Sequence, residues 1–512
     1  MGKNLIAVID IGSLTARLKI FEIGSNSKPK EIETVRMFIS LGTKSYLSGV
    51  IEPQQLDEIC DCLRSFDIKC KEYRISRVFC VATTALRDAR NRDVIIEQIR
   101  IRTGFRIEVL DNSMERFYQN MAVREAMPEI KELIKEGTMI LDIGASSLQA
   151  TVFDKSDFIF SQNMVLGSLR IYEMLSDLQN KTTHYEDVLQ EFIAQDLDDY
   201  HAVEPKGIVY KSLIAFGGEL GFVKKLVNLT PNKNAVVTKS QFMDVYDYLF
   251  KNSPSDLSLN DHIPTYVAPL LLPSAMIIKN MLEYTGVDKI YFPQASLSDG
   301  IIYNHCAKYS GYKLSLNTED DLLRAARNVA KRYKSHKKHI EFVENAAMKI
   351  FDASSKFTGL GQRDRLLLRL SSILHECGKY VHASDHNEAA YALIKYTDLI
   401  GLNTDELDTV ALVVRLYPKQ NPYENAYYQN LSPHKKVLVS KLTAILRIAD
   451  ALDASHKEKS KSISVSLNPD SLHISCQSDD DMSFEAWSFE HRSGLFEEVI
   501  GIKPELRIRR TL

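Results

Sequence analysis

The sequence predicts an α/β fold of two related lobes, followed by an all-α region and a small α+β segment. Three observations carry that reading. First, an apolar run from Ile6 to Ile9 leads into Asp10-Ile11-Gly12-Ser13-Leu14-Thr15, and the same pattern returns as Met139 to Leu141 followed by Asp142-Ile143-Gly144-Ala145-Ser146-Ser147-Leu148. Each copy reads as a strand, a tight turn and a second strand. Second, strand-like and helix-like stretches alternate up to about residue 310, the pattern of α/β domains. Third, beyond about residue 315 the spacing is helical only.

The elements follow in order. Residues 4–23 alternate apolar and polar, and Gly24-Ser25-Asn26-Ser27-Lys28-Pro29 reads as a hairpin turn. Pro53 opens an amphipathic helix with Leu56, Ile59, Leu63 and Phe66 on one face. Val78 to Ala82 is a buried strand that runs into Thr83-Thr84-Ala85-Leu86-Arg87-Asp88-Ala89-Arg90-Asn91 and another helix. Ile107 to Leu110 is a strand, and Asp111-Asn112-Ser113 caps a helix whose stripe is Met114, Phe117, Tyr118, Met121 and Ala122. The first lobe spans residues 1–130 and the second 131–310. The second includes the strand before Phe216-Gly217-Gly218-Glu219 and ends after Ser298-Asp299-Gly300. Helical spacing then runs through 322–333, 339–351, 365–374, 388–396, 407–416 and 435–452, giving a helical domain over 315–458. Lys457 to Lys461 reads as a polar linker, and residues 462–512 as short strands plus one helix.

Composition narrows the function classes. A chain of 512 residues has room for about three domains. With 64 basic and 67 acidic residues and a net charge of −3, neither nucleic acid nor membrane is expected as the main partner. No segment approaches a membrane-spanning apolar run, and the six-residue apolar run after Asn4 is too short for a signal peptide. The seven cysteines are odd in number and form no Cys-x-x-Cys, so buried reduced thiols in a cytoplasmic protein are expected.

The repeated loop carries chemistry. Glycine permits close backbone approach, so such a turn can aim N–H groups and hydroxyls at a phosphate, and the Asp can hold a hydrated Mg²⁺ beside it. A single Asp-x-Gly is ordinary hairpin chemistry. Two in successive α/β halves suggest a cleft that grips phosphates from both sides.

The order of Asp10-x-Gly12-Ser13, Ala82 to Asn91, Thr103-Gly104-x-x-Ile107-Glu108-Val109 and Asp142-Ile143-Gly144 resembles the exopolyphosphatase/guanosine pentaphosphate phosphatase family. So do His375-Glu376-x-Gly378 and Leu446 to His456 in the helical part. The resemblance implies a two-lobed actin-like fold of the ribonuclease H-like class, a helical HD-like domain and a small C-terminal domain. It implies hydrolysis of a terminal phosphoanhydride of polyphosphate or pppGpp with Mg²⁺. Carried over, Asp10, Gly12, Ser13, Thr15, Gly144, Ser146, Ser147, Gly217 and Gly218 bind phosphate. Arg87 is the cationic clamp, Glu115 the catalytic base, and Asp142 with Asp10 holds Mg²⁺ through water. For Arg87 a surface residue at a helix start is the bland alternative, and for Glu115 a first-turn carboxylate favoured by the helix dipole.

The chain departs from the family pattern near the chemistry. The family's second loop is Asp-Ile-Gly-Gly-Gly-Ser-Thr-Glu, whereas here two glycines are replaced and the carboxylate has become Gln149. Met114 stands where the family has the first Glu of a Glu-Glu pair, and Ser298-Asp299-Gly300 where it has Arg-Glu-Gly. Losing a general acid or base typically costs about 10²–10⁴ in rate. Two readings therefore compete in the cleft: a phosphoanhydride hydrolase, and a weakened or inactive sensor that binds polyphosphate or (p)ppGpp. A third places a metal phosphohydrolase site at His339, His375, Glu376 and Asp450, against a structural vestige of such a site. His382 and His386 lie in the same region. The run Arg324, Arg327, Lys331, Arg332, Lys334, Lys337, Lys338 is either a polyanion track or a solvated face. A homodimer through the helical region is a reasonable expectation.

Overall fold

The computed structural model describes residues 4–509, except 44, 76, 180, 183, 231–232, 316–317, 419–421 and 469–470. It divides into two compact units, Met1–Thr318 and Glu319–Leu512.

The first unit contains two sheets of one design. The first has β1 (Leu5–Ile11), β2 (Thr15–Glu22), β3 (Lys30–Phe38), β4 (Arg77–Ala82) and β5 (Glu108–Val109), in the order β3-β2-β1-β4-β5. The second has β6 (Gly137–Ile143), β7 (Leu148–Asp154), β8 (Asp157–Met164), β9 (Tyr210–Phe216), β10 (Ala235–Thr238) and β11 (Lys289–Phe292), in the order β10-β11-β9-β6-β7-β8. Each begins with three antiparallel strands and then adds a parallel strand beside the first: β4 beside β1, β9 beside β6. The repeated loops are the β1–β2 and β6–β7 turns.

β1 is apolar almost throughout because both its faces are covered. Ala7, Ile9 and Ile11 pack with Leu56, Ile59, Leu63 and Phe66, the predicted face of the helix Pro53–Glu72. That helix starts with Pro at its first turn and a reciprocal Glu52–Gln55 cap. Ile6 and Val8 point the other way, into a cluster with Leu297, Ile301, Ile302 and Cys306. The helix Leu297–Tyr309 thus packs on the first sheet, although it follows the second in sequence. Gly300 lets the same helix press against the helix Asn112–Ala126, since a Cβ there would lie 1.8 Å from the Tyr118 carbonyl oxygen. In the second lobe the helix Ala268–Thr285 is largely buried against β9 and its neighbours, with Pro273 inside it.

In the second unit, helices form at all six predicted stretches. β12 (Ser462–Leu467), β13 (Ser471–Gln477) and β14 (Lys503–Arg509) form a three-stranded sheet. Two helices, Ser483–Arg492 and Gly494–Ile500, stand where one was predicted, because the chain breaks at Ser493 before the second begins. The polar stretch 457–461 is tied down: Lys459 donates to the fully buried Glu485 at 2.9 Å. All seven cysteines are buried and unpaired. No helix among the described residues is long and apolar enough to cross a membrane.

Candidate functional site

The two Asp-x-Gly turns have matching geometry. Gly12 N–H donates to Thr15 O at 3.0 Å, and Gly144 N–H to Ser147 O at 2.9 Å. A Cβ on either glycine would meet that same oxygen at 3.2 Å. The turns face each other, and the Ser13 and Ser146 hydroxyls lie 3.1 Å apart. They line a cavity of about 580 Å³ together with Asp10, Glu115, Asp142 and the Gly217–Gly218–Glu219 segment. Gly217 is required at this place: its φ is +154°, and a Cβ would lie 2.1 Å from the Ile143 carbonyl oxygen. Asp10, Gly12, Ser13, Thr15, Gly144, Ser146, Ser147, Gly217 and Gly218 all line this one cavity.

Of the five carboxylates that line the cleft, Asp10, Glu115, Asp142 and Glu219 act on one another. Burial raises Asp142 well above the usual carboxylate range, and the charges of Glu115, Glu219 and Asp10 push it further. Asp10 rises to about 6, chiefly by burial and against the pull of Arg17. Burial also raises Glu219, opposed by its own backbone and by Arg36 and Arg17. An all-oxygen set that crowds negative charge this way fits a hard divalent cation such as Mg²⁺.

Strand register brings in cations that motif reading missed. Asp10 lies opposite Arg17, and Arg17 opposite Arg36, across β1, β2 and β3. Like charges directly opposite each other destabilise a sheet, so this pair invites an anion. Two residues further along β2, buried Lys19 pairs with Glu31 at 2.8 Å and Asp299 at 2.9 Å. In the second lobe, register sets Gln149 opposite Asp142, where the first lobe has Arg17 opposite Asp10. The Gln149 Oε1 is buried without a hydrogen-bond partner.

Glu115 lies in the first turn of the helix Asn112–Ala126, capped by Asp111, whose side chain accepts from Met114 N–H as predicted. Arg87, expected as a phosphate clamp, is turned onto this carboxylate. Its Nη1 donates to Glu115 Oε2 and to Leu110 O, each at 2.8 Å, and its Nη2 to Thr84 Oγ1 at 2.8 Å. This follows from its place in the one-turn helix Thr84–Arg87 after β4, beside the start of the Glu115 helix.

In the second unit the structure gathers His339, His375, Glu376 and Asp450, all buried. Asp453 and His456 join them, a participation that spacing did not reveal: Asp453 Oδ2 lies 2.7 Å from His339 Nδ1, and the His456 ring stacks on His339 at 3.8 Å. Burial opposes the charged form of His339, but Asp450 and Asp453 outweigh it and carry its pKa up to about 9. His382 lies outside the cluster and accepts from Asp385 N–H, while His386 borders it, facing the hydroxyl of Tyr417, whose ring packs edge-on against His375. In the basic run, Arg327 turns onto the buried Glu344 with two bonds of 2.8 Å, and Lys337 lies 3.8 Å from Glu341. Those pairings are those of a self-neutralised face.

Comparison with known proteins agrees with this architecture. A model of the Ppx/GppA phosphatase family matches residues 20–309, and one of that family's domain III matches residues 323–490. The chain is 22% identical over 427 residues to a guanosine-5'-triphosphate,3'-diphosphate pyrophosphatase of Photobacterium profundum, covering 81% of each protein. It is 20% identical over 304 residues to exopolyphosphatase 1 of Mycobacterium leprae, covering 58% of this chain and 88% of that one. The crystal structure of an exopolyphosphatase from Cytophaga hutchinsonii superposes with a TM-score of 0.52 at 19% identity, covering 61% of this chain and 100% of that one. That likeness, with the paired mixed sheets, is one of fold: the actin-like α/β arrangement expected from the sequence.

Proposed function

The chain belongs to the Ppx/GppA phosphatase family, and from that premise we propose that it hydrolyses the terminal phosphoanhydride of inorganic polyphosphate or of pppGpp. The observation that carries the proposal is the pair of matched turns, hydroxyl to hydroxyl, in a cleft that also holds the Arg17–Arg36 pair and the carboxylates of Asp10, Glu115, Asp142 and Glu219.

The terminal phosphoryl group sits between the turns. Backbone N–H groups and the hydroxyls of Ser13, Thr15, Ser146 and Ser147 donate to its equatorial oxygens. Arg17 and Arg36 neutralise the next phosphates of the chain, and planar guanidinium forks suit that task. Glu115 orients a water and takes its proton as the water oxygen bonds to phosphorus. The bond from phosphorus to the bridging oxygen breaks, and the shortened polyanion leaves with that oxygen. Arg87 fixes the Glu115 carboxylate and acts as a positioning residue. Asp10 and Asp142, with Glu219, would hold Mg²⁺, which supplies charge neutralisation at the phosphoryl oxygens. Phosphoryl transfer of this type depends on positioning and electrostatics, so altered groups around the cleft slow it without abolishing it.

A second reading has one specific observation in its favour. Gln149 stands opposite Asp142 in place of the family's carboxylate, and an amide neither accepts a proton from water nor balances a metal's charge. The cleft would then bind polyphosphate or (p)ppGpp as a sensor. The deciding experiment is Mg²⁺-dependent phosphate release from long-chain polyphosphate and from pppGpp, with Glu115→Gln alongside. Release that collapses in Glu115→Gln supports the hydrolase and names its substrate. Calorimetric binding without release supports the sensor. Release unchanged in Glu115→Gln rejects the role given to Glu115.

A further inference from the structure

We propose that a second cavity, between β4 and the helix Leu297–Tyr309, binds a single-ring aromatic carboxylate that steadies the helix carrying Glu115. The binding claim is independent of what the main cleft does.

Three segments build the cavity, each with one face. On β4, Arg77, Phe79 and Val81 alternate onto one side of the first sheet. Glu108 and Leu110 do the same at β5. On the helix, Ile301, Asn304, His305 and Lys308 stand at i, i+3, i+4 and i+7, a single stripe. Between them lies a space of about 190 Å³. An apolar cavity of about 150 Å³ already accommodates benzene, so one ring with small substituents fits.

The lining selects a flat anion. Val81, Leu110 and Ile301 are buried and form an apolar floor. The His305 ring centroid lies 5.3 Å from that of Phe79 and 4.9 Å from that of Tyr309. The Arg77 guanidinium lies over both aromatic rings, 5.3 Å from the Phe79 centroid and 5.7 Å from the Tyr309 centroid. Walls of this kind take a further ring offset or edge-on. Arg77 and Lys308 form no ion pair among the described residues. Two cations without carboxylate partners, beside aromatic walls, suit an anionic group attached to a ring, and a guanidinium fork matches a carboxylate with two parallel bonds. His305 is 7% exposed, and no hydrogen bond reaches either ring nitrogen among the described residues. Burial, and after it the charge of Arg77, lowers its pKa, so the imidazole is neutral with one donor and one acceptor to offer. A hydroxyl on the bound ring gives that imidazole a partner.

Leu110 and Tyr118 connect this space to the cleft. The Leu110 carbonyl accepts from Arg87 Nη1, the nitrogen that also donates to Glu115. Tyr118 lines the cavity about one helical turn after Glu115, and Gly300 of the covering helix sits against the Tyr118 carbonyl. A ring filling the space touches both arms of this linkage and restrains the first turns of the helix Asn112–Ala126.

The test uses the full chain with 4-hydroxybenzoate as the probe, followed by calorimetry, ligand-observed NMR and hydrogen exchange. Binding in the low-millimolar range or tighter is expected for a ligand of about ten non-hydrogen atoms. Benzamide keeps the ring without the charge and inorganic phosphate the charge without the ring, and each should bind at least about fivefold more weakly. Arg77→Gln should weaken the probe about fivefold or more. Tyr309→Ala should weaken it about 2- to 12-fold. Tyr309 is 71% exposed, so its truncation leaves the fold intact. Arg36→Gln, in the main cleft, should leave the affinity unchanged, and the bound probe should slow exchange across Asn112–Ala126. No binding, equal binding of benzamide or phosphate, or unchanged affinity in either Arg77→Gln or Tyr309→Ala overturns the site. Weakening by Arg36→Gln places the probe in the main cleft and overturns it as well. Binding with unchanged exchange overturns the link to the Glu115 helix.

Discussion

Replacing Arg87 by Met tests the coupling that holds the cleft carboxylate Glu115 in place. The substitution keeps the apolar stem and removes the guanidinium that joins Glu115, Leu110 and Thr84 at 2.8 Å each. The two charged side chains are 14% and 9% exposed. A hydrogen bond between charged groups contributes about 1.5–3 kcal/mol, and stranding one partner of a fully buried pair costs about 3–5 kcal/mol. The residual exposure sets the expected loss near the lower bound, about 3 kcal/mol. Trp487 is the single tryptophan and lies in the second unit, so its fluorescence follows that unit while circular dichroism follows both. Arg87→Met should shift the dichroism transition and leave the fluorescence transition in place. In a double-mutant cycle with Glu115→Gln, the coupling should be about 1.5–3 kcal/mol. Kinetically, a positioning residue lowers kcat with KM little changed, whereas a phosphate clamp raises KM. Additive stability effects together with a raised KM would refute the pairing and return Arg87 to the clamp role.

Three further outcomes follow from the same geometry. Gly217→Ala must displace the Ile143 carbonyl, since the new Cβ would stand 2.1 Å from it, so a loss of at least ~2 kcal/mol and of phosphate binding is expected in melting and calorimetry; an unchanged melting temperature contradicts the close approach. Gln149→Glu adds a carboxylate beside Asp142, and should lower stability in chelator while raising Mg²⁺-dependent release about tenfold or more, part of the factor assigned to a general acid or base; equal rates for the two proteins would show that this position is indifferent. Lys19→Met removes the cation from Asp299, which keeps the Ser296 hydroxyl, and should cost ~2 kcal/mol, less than a fully buried pair because Glu31 reaches solvent; chemical denaturation with an unmoved midpoint excludes it.

The parts of this protein that are local in sequence were legible before the structure. The two turns are contiguous strand–turn–strand units, and the Pro53 helix and the Asp111 cap announce themselves within a few residues. What escaped is set by register and by long-range packing. Arg17 and Lys19 follow the first loop at alternating positions, beside the buried Ala16, Leu18 and Ile20. That alternation is a signal that two cations share one face, but their partners Arg36 and Asp299 are known only once strands pair and a distant helix docks. Arg87 is expected from its motif to clamp phosphate, yet its partner Glu115 was hidden, because nothing in the Arg87 segment says where the Glu115 helix begins in space. Asp453 and His456 were quoted as part of a motif, while their contact with His339 depends on how two helices separated by more than a hundred residues pack.

The docking of the helix Leu297–Tyr309 on β1 has a consequence for how the chain acquires its structure as it is made. One face of the first sheet, with Ile6, Val8, Phe21, Ile23, Val81 and Leu110, is closed by Leu297, Ile301, Ile302 and Cys306. Those residues emerge from the ribosome only after the whole second lobe. At synthesis rates of about 5–20 residues per second, the face waits roughly 10–40 s for its cover. The N-terminal lobe is thus finished by a late C-terminal piece, and the second lobe folds while the first still exposes apolar surface. During that interval this strip is open to a chaperone or to a wrong neighbour. Truncation anywhere before residue 297 should leave the first lobe soluble only with such help.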